Sequence, residues 1–170
     1  MLNEKVHKLL NEQINKEFYS AYLYLDFSNY FKAQGLDGFA NWYMIQAQEE
    51  RDHAMLFYQY LQNEGMEVTL EAIGKPDKEL SSDLAVLNAG LEHERYVTSL
   101  INDIYSEAYA SKDFRAMQFL DWFVKEQGEE ETNAKDLITK MELFGSDARG
   151  LYLLNQERGA RVYSAPSLGL

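Results

Sequence analysis

The sequence contains no cysteine, which excludes disulfide bonds, thiolate metal sites and iron–sulfur clusters. It has only 2 prolines and 10 glycines in 170 residues, and this shortage of helix-breaking residues favours long, uninterrupted helices. No apolar run approaches the ~20 residues that a membrane-spanning helix needs, so we expect no membrane partner. The first residues, MLNEKVHKLLNEQ, lack the apolar core of a signal peptide, which predicts a cytoplasmic location.

Basic residues are also scarce relative to acidic ones. There are 16 lysines and arginines against 28 aspartates and glutamates, giving a net charge of −12. Such a surface repels nucleic acid and attracts cations, so we expect no nucleic-acid partner. With 46% hydrophobic and 26% charged residues, the composition and length predict a single domain, residues 1–170, with a sizeable core.

Four segments repeat apolar residues at alternating steps of three and four, the period of an amphipathic helix. The stripes run from Leu10 to Phe31, from Phe39 to Tyr60, from Leu84 to Ala108 and from Leu120 to Phe144. Helix-stopping glycines and capping side chains agree with them: Gly35, Gly65 and Gly145 as stops, Ser82 and Asp113 as caps. We predict helices over 3–34, 37–64, 82–110 and 113–144.

The connections predict how these helices are arranged. Short links join the first pair and the last pair, so each pair forms an antiparallel hairpin. The middle link, residues 65–81, has roughly 17 residues, enough in extended form to cross a helix ~40 Å long. The second and third helices should therefore be parallel, which gives an all-α four-helix bundle with one long crossover.

A short fifth helix is predicted at about 147–159, capped by Ser146 or Asp147. It is too short to be stable alone and has no place in a four-helix core. We expect it to pack against another subunit, and we expect residues 160–170 to form a loose tail.

Polar residues interrupt the four stripes near the middle of the helices. They are Glu17, Glu50, His53, Glu94, Gln127 and Glu130. Bundle formation brings these residues to one height in the core. An unpaired carboxylate buried there would lose on the order of several kcal/mol of solvation free energy. Shared protons, basic partners or a metal would offset this cost. No lysine or arginine lies on a stripe and nothing in the stripes is arranged for protonation, so the pattern predicts a metal site.

The ligand types indicate which metal binds. Carboxylates with one imidazole suit iron or manganese. Two divalent ions would cancel the charges of the four glutamates, and Glu50 is the natural bridge between them. The fourth helix offers Gln127 and Glu130 where a symmetric di-iron site has Glu and His. The second position should therefore bind iron more weakly and release ferric iron.

At these residues the chain resembles the ferritin family, and within it the bacterial non-haem type. The motifs are NKEFYSAYLY, AQEERDHAMLFYQYL, HER and WFVKEQGEEE, and the likeness covers nearly the whole sequence. The resemblance implies a first iron site at Glu17, Glu50 and His53, and a second at Glu50, Glu94 and Glu130 with Gln127 beside it. It also implies a hydrogen bond from Tyr24 near the iron pair, and a third iron position at Glu49, Glu126, Glu129 and Glu130.

The resemblance further implies a ferroxidase and iron store. Fe(II) would be oxidised by O2 at the di-iron site and Fe(III) kept as an oxyhydroxide inside a hollow shell of twenty-four subunits. The fifth helix would line the four-fold axes. Eukaryotic ferritins carry acids at a three-fold pore where this chain has Met117 and Leu120, so we do not expect a hydrophilic entrance of that kind.

Of four other functions, the di-iron oxygenase stays open at this point. A bacterioferritin would have a second Glu-x-x-His and a haem-ligating Met where Arg51 stands, so we expect no haem. A rubrerythrin-like protein would need cysteines. A di-iron oxygenase, which would retain its iron, is possible, whereas a metal-free structural bundle leaves the four glutamates unexplained.

Single residues also have plainer interpretations. Tyr24 alone is typical of a core tyrosine with a bonded hydroxyl. Glu49, Glu126 and Glu129 alone are typical of solvated helix charges. His7 and His93 are expected on the surface.

Overall fold

The computed structural model describes residues 3–170 and folds that range into five α-helices. They are α1 (Glu4–Ala33), α2 (Asp37–Asn63), α3 (Asp83–Ala110), α4 (Phe114–Phe144) and α5 (Ala148–Gly159). The bounds differ from those predicted by one residue at most, and the all-α fold is confirmed. None of the helices within residues 3–170 is long and apolar enough to cross a membrane.

The helix ends show why the bounds were predictable. The side chains of Ser82 and Asp113 accept hydrogen bonds from the backbone N–H groups of Ala85 and Ala116, as capping residues do. Gly35 and Gly65 adopt φ values of +76° and +72°, which favour glycine. Gly145 has an ordinary φ of −76° and is instead crowded, since a Cβ there would lie 2.3 Å from Met141 Sδ.

The long crossover runs beside α1 from one end of the bundle to the other. Its contacts with α1 follow in order: His7 Nε2 with Glu67 O at 2.9 Å, then Asn15 Nδ2 with Ala72 O at 3.0 Å. At its end, the first residue of α3, Asp83, accepts a hydrogen bond from Tyr30 OH at 3.0 Å. The chain thus returns to the end where α2 began before α3 starts. Helices α2 and α3 are therefore parallel, as predicted.

Two apolar clusters fill the bundle, with the polar residues of the four stripes between them. One cluster contains Leu10, Ile14, Phe57, Ile101 and Phe123, and the other contains Leu23, Phe27, Phe39, Val86 and Leu137. In each long helix the chain passes from one cluster through the polar belt into the other. Phe144, the last residue of the fourth stripe, extends past the core and is 52% exposed.

Helix α5 packs on its own subunit, which corrects the expectation that it has no partner there. Asn155 Oδ1 accepts hydrogen bonds from the backbone N–H groups of Gly38 (2.8 Å) and Phe39 (3.2 Å). It thereby caps the first turn of α2, whose own N-cap residue, Leu36, makes no side-chain cap bond. Only glycine fits at position 38, because a Cβ there would lie 1.7 Å from Asn155 O.

The segment after α5 also differs from the expected loose tail. Arg161 donates hydrogen bonds to Trp42 O at 3.2 Å and to Gln46 Oε1 at 2.9 Å. Further along, Trp122 Nε1 donates to Ser167 Oγ at 3.2 Å. These hydrogen bonds and the contact of the Arg161 guanidinium with the Trp42 ring, 4.2 Å from its centroid, hold the segment along α2 and bring it to α4.

Candidate metal centre

The polar belt contains one tight group of side chains from α1 and α2. Ligand atoms of Glu17, Glu50 and His53 all lie within 4.8 Å of one another, and the three residues are buried. Within residues 3–170 this is the one such group of three or more. His53 Nδ1 lies 3.3 Å from Glu50 Oε2, since the two residues are one helical turn apart. Carboxylates and an imidazole this close together could hold a transition-metal ion.

Glu94 enters the belt from α3 and is held by two donors. The hydroxyl of Tyr24 donates a hydrogen bond to Glu94 Oε1. Gln127 Nε2 lies 3.1 Å from Glu94 Oε2 and 3.2 Å from the Glu94 carbonyl oxygen. Gln127 therefore orients Glu94 through its amide N–H groups.

Glu130 enters from α4 and is joined to Glu50 by a glutamine that we did not assign from the sequence. Gln46 Nε2 donates to Glu130 Oε2 at 2.8 Å and to Glu50 Oε1 at 3.1 Å. In the same way Gln13 Nε2 donates to Glu17 Oε1 at 2.7 Å. Each glutamine lies four residues before a glutamate, and this spacing was a signal available in the sequence.

The belt has both an unused ligand atom and empty space. Glu17 Oε2 is buried and has no hydrogen-bond partner among the described residues. A cavity of about 20 Å³, large enough for one water molecule, lies beside Glu94 and Glu130. An unpartnered buried carboxylate oxygen is costly unless a proton or a cation offsets its charge.

Burial raises the pKa of each belt glutamate (Glu17, Glu50, Glu94 and Glu130) to about 8. Loss of solvation is the main cause, and the neighbouring carboxylates raise these pKa values further. Without metal the belt therefore keeps protons near neutral pH. Our inference that nothing favours protonation was wrong, because burial and the neighbouring carboxylates both raise these pKa values. A bound cation would replace those protons.

The three acids of the suggested third position are not gathered into one site. Glu49 is bound by Arg161, and Glu126 is close enough for its charge to raise the Glu49 pKa. Burial is nevertheless the main cause of the raised pKa of both Glu49 and Glu126. Glu129 is exposed and lies 3.6 Å from Lys125 Nζ. The Arg161 guanidinium therefore binds the Glu49 carboxylate, which a third ion would need as a ligand.

His93 is buried rather than exposed, which corrects the sequence-based expectation. Its Nε2 lies 2.7 Å from Ser20 Oγ, and its ring packs edge-on against Tyr24 at 5.8 Å. Burial lowers the pKa of His93 to about 4. The buried series Gly90, His93 and Val97 has helical spacing, and we overlooked it beside the stripe through Glu94.

The two residues expected at a three-fold pore are apolar and pack inside the subunit. Leu120 is fully buried in the cluster with Phe57 and Phe123, and Met117 packs against that cluster. Neither side chain provides a surface ligand for a cation.

The sequence is similar to known proteins over most of its length. Residues 7–144 match the ferritin-like domain family. A probable bacterial non-heme ferritin-like protein of Haemophilus influenzae is 38% identical over 159 residues, 94% of this chain and 96% of that protein. A bacterial non-heme ferritin of Campylobacter jejuni is 39% identical over 156 residues, 92% and 93% of the two chains.

Solved structures of ferritins have the same fold as this chain. An open-pore ferritin from the hyperthermophilic archaeon Archaeoglobus fulgidus superposes with a TM-score of 0.93 at 42% identity, covering 95% of this chain and 100% of that one. A humanized archaeal ferritin gives a TM-score of 0.93 at 43% identity, with 96% and 100% coverage. The family match over residues 7–144 and the 38–39% identity to these relatives over more than nine-tenths of the chain agree with the single crossover and the belt of buried glutamates. This chain belongs to the ferritin family.

Proposed function

We propose that this chain is an iron-storage protein that oxidises Fe(II) with O2 inside the helix bundle. The observation that carries the proposal is the convergence of Glu17, Glu50 and His53 within 4.8 Å, with Glu17 Oε2 lacking a partner. The names of the relatives, bacterial non-heme ferritins, support iron as the metal.

Two iron ions bind as substrate in this proposal. Glu17, Glu50 and His53 hold the first, while Glu50, Glu94 and Glu130 hold the second, with Gln127 beside it. Four positive charges on two Fe(II) ions match the four carboxylates, which release their protons when iron binds. Glu50 bridges the two ions because it contacts His53 on one side and shares Gln46 with Glu130 on the other.

Two Fe(II) ions give one electron each to O2, which takes up two protons from water and becomes hydrogen peroxide, while the protein holds the reactants in place. Tyr24 fixes Glu94, and Gln46 fixes Glu50 and Glu130, so the carboxylates need little rearrangement when the ionic charge rises. The second position has the neutral Gln127 amide where a symmetric di-iron site has a further ligating carboxylate or imidazole, so it offers Fe(III) fewer ligands. Ferric iron then leaves this position and accumulates as an oxyhydroxide mineral.

Storage requires an enclosed space, and we propose a homo-oligomeric shell of twenty-four subunits. The supporting feature is α5, which exposes Tyr152 and Leu153 at 60% each although it is docked on α2. Exposed apolar side chains on a short terminal helix are typical of a subunit contact. The cytoplasmic location and the absence of haem stay predictions from the sequence.

The test is to add Fe(II) in air to purified, iron-free protein and to follow ferric absorbance. Iron that co-elutes with the protein on size exclusion is then counted. We expect rapid oxidation and far more than two irons per subunit. Oxidation no faster than in buffer would refute the ferroxidase, and a ceiling of two retained irons would indicate a di-iron oxygenase instead.

A further inference from the structure

We propose that Arg161 is a positioning residue for the iron pair, because it fixes the side-chain amide of Gln46, which in turn holds Glu50 and Glu130. This inference rests on the proposed function, since these two glutamates are ligands of the second iron position. Gln46 is buried in α2, and Arg161 lies 115 positions beyond it, in the segment after α5. The sequence alone gives no signal that connects the two residues.

The side-chain amide of Gln46 has a donor end and an acceptor end, and both are used. Its Nε2 donates to Glu130 Oε2 at 2.8 Å and to Glu50 Oε1 at 3.1 Å, which employs both of its hydrogens. Its Oε1 accepts from Arg161 at 2.9 Å. An ionised carboxylate that binds a metal accepts hydrogen bonds and donates none. The NH2 end of Gln46 must therefore face the two glutamates once iron is bound.

Arg161 selects this orientation of the amide because a guanidinium can only donate hydrogen bonds. If the Gln46 amide turned over, its NH2 would face the guanidinium and its oxygen would face Glu50 and Glu130. Donor would then meet donor on one side, and oxygen would meet oxygen on the other. Without Arg161 the correct orientation leaves Oε1 buried without a donor, which is unfavourable, so the wrong orientation competes with it.

Arg161 is itself held firmly against α2. Its carbonyl oxygen accepts from Asn41 Nδ2 at 3.0 Å, and its Cζ lies 4.2 Å from the centroid of the Trp42 ring. The nitrogen that donates to Gln46 also donates to Trp42 O at 3.2 Å, and the other terminal nitrogen binds Glu49. Trp42, Gln46 and Glu49 follow one another at steps of four and three, so they lie on one face of α2. One planar guanidinium can therefore contact all three.

The second iron position depends on the Gln46 amide more than the first position does. Glu50 and Glu130 both belong to the second position, whereas the first position uses only Glu50 of this pair. Loss of Arg161 should therefore weaken the second ion more than the first. General damage to the fold would not distinguish the two positions in this way.

The experiment titrates Co²⁺, without oxygen, into the metal-free parent and Arg161→Met. Methionine keeps an unbranched stem over Trp42 and removes every donor. The visible absorption of Co²⁺ reports the geometry of its ligands. We expect two ions per subunit in the parent. In Arg161→Met the second ion should bind roughly tenfold more weakly, with an altered spectrum, because one hydrogen bond from a charged donor is lost. Oxidation of two Fe(II) per subunit should slow by roughly the same factor.

A double-mutant cycle tests whether Arg161 acts through Gln46. Gln46→Met removes the amide but keeps a side chain of similar length, and it should weaken the second Co²⁺ at least as much as Arg161→Met does. Adding Arg161→Met to Gln46→Met should then cause little further change. A further loss of roughly tenfold in the double variant would show that Arg161 acts through its charge beside Glu49 instead, and would overturn the inference.

Tyr163→Phe is the matched control from the same segment. The Tyr163 hydroxyl donates a hydrogen bond to Asp52 of α2 rather than to Gln46. This variant should bind Co²⁺ like the parent. An equal weakening of the second ion in Tyr163→Phe would show that any loosening of the segment has this effect, and it would count against a specific role for Arg161.

The inference alone fails if Arg161→Met binds the second Co²⁺ as tightly as a parent that binds two ions and oxidises Fe(II). A parent that neither binds Co²⁺ nor oxidises Fe(II) would refute the proposed function, and this inference with it.

Discussion

The hydroxyl of Tyr24 on α1 donates a hydrogen bond to Glu94 on α3, a residue 70 positions further along the chain. Both side chains are buried, and the aromatic ring of Tyr24 stacks on Tyr43 at 5.6 Å. Tyr24 therefore has a defined role in the unloaded protein, which is to hold one carboxylate of the second iron position. This relation gives the first prediction.

Tyr24→Phe keeps the ring and removes the donor to Glu94. A neutral hydrogen bond contributes ~1 kcal/mol, so Fe(II) oxidation should slow by roughly fivefold. Since the hydroxyl lowers the Glu94 pKa, the pH dependence of the rate should also shift to higher pH. Stopped-flow absorbance measures both effects. Tyr43→Phe removes a hydroxyl from the neighbouring buried ring, and an equal loss there would argue against a specific role for Tyr24.

Glu50→Ala removes the inferred bridge between the two irons. The rapid phase of oxidation should disappear, while the fold persists because the variant also loses the cost of burying a carboxyl. Circular dichroism checks the fold and ferric absorbance checks the rate. Glu92→Ala, an exposed position on α3, is the matched control. Oxidation at the parent rate in Glu50→Ala would show that the site is elsewhere.

The metal-free protein should lose stability as the pH rises from about 4.5 to about 8. Burial raises the pKa of the four belt glutamates from 4.5 to about 8, so across this window the folded state keeps protons that the unfolded chain has released. The free energy of unfolding must then fall with rising pH.

Thermal melts of chelator-treated protein between about pH 6 and pH 9 test this, because the Tm falls with the free energy of unfolding. Saturating Zn²⁺ replaces the protons and should abolish or reverse the trend. A Tm that rises with pH in the metal-free protein would contradict the raised pKa values.

The double variant Gln127→Glu with Glu130→His tests why ferric iron leaves. It exchanges the amide of Gln127 for a carboxylate and the carboxylate of Glu130 for an imidazole, so the second position gains one ligand and keeps its number of carboxylates, and it loses the amide that donates to Glu94. We expect near-normal oxidation of the first two irons per subunit and then slow turnover with poor mineral growth. Gln127→Glu alone separates the loss of that donor from the new ligand. Mineral growth at the parent rate in the double variant would exclude weak ligation as the cause of release.

The assembly is tested at α5. Light scattering of the parent should report a particle of twenty-four subunits of 19.7 kDa. Leu153→Asp places a charge on the exposed side of α5 and should lower the particle mass while the helix content stays the same. Val162→Asp changes an apolar residue that is 80% exposed outside α5, and it should leave the particle intact. A parent that is a monomer would refute the shell.

The sequence by itself determined the helices, their order and the height of the polar belt. Each of these depends on local information: apolar residues at steps of three and four, a cap such as Ser82, or a left-handed Gly35. The register of Glu17, Glu50, Glu94 and Glu130 was also predictable, because helices of similar length that pack side by side bring their midpoints together. Because the crossover is long enough to span the bundle, α2 and α3 were predicted to be parallel, which fixed the topology.

Only the tertiary structure decided what surrounds those side chains. The Arg161–Glu49 pair, the Asn155 cap on α2 and the contact of His93 with Ser20 join residues 112, 117 and 73 positions apart, with no periodic signal to connect them. The protonation of the belt likewise follows from burial between two apolar clusters. Helix period is a property of neighbouring residues, whereas solvation and charge pairing depend on distance in space, which the folded chain alone sets.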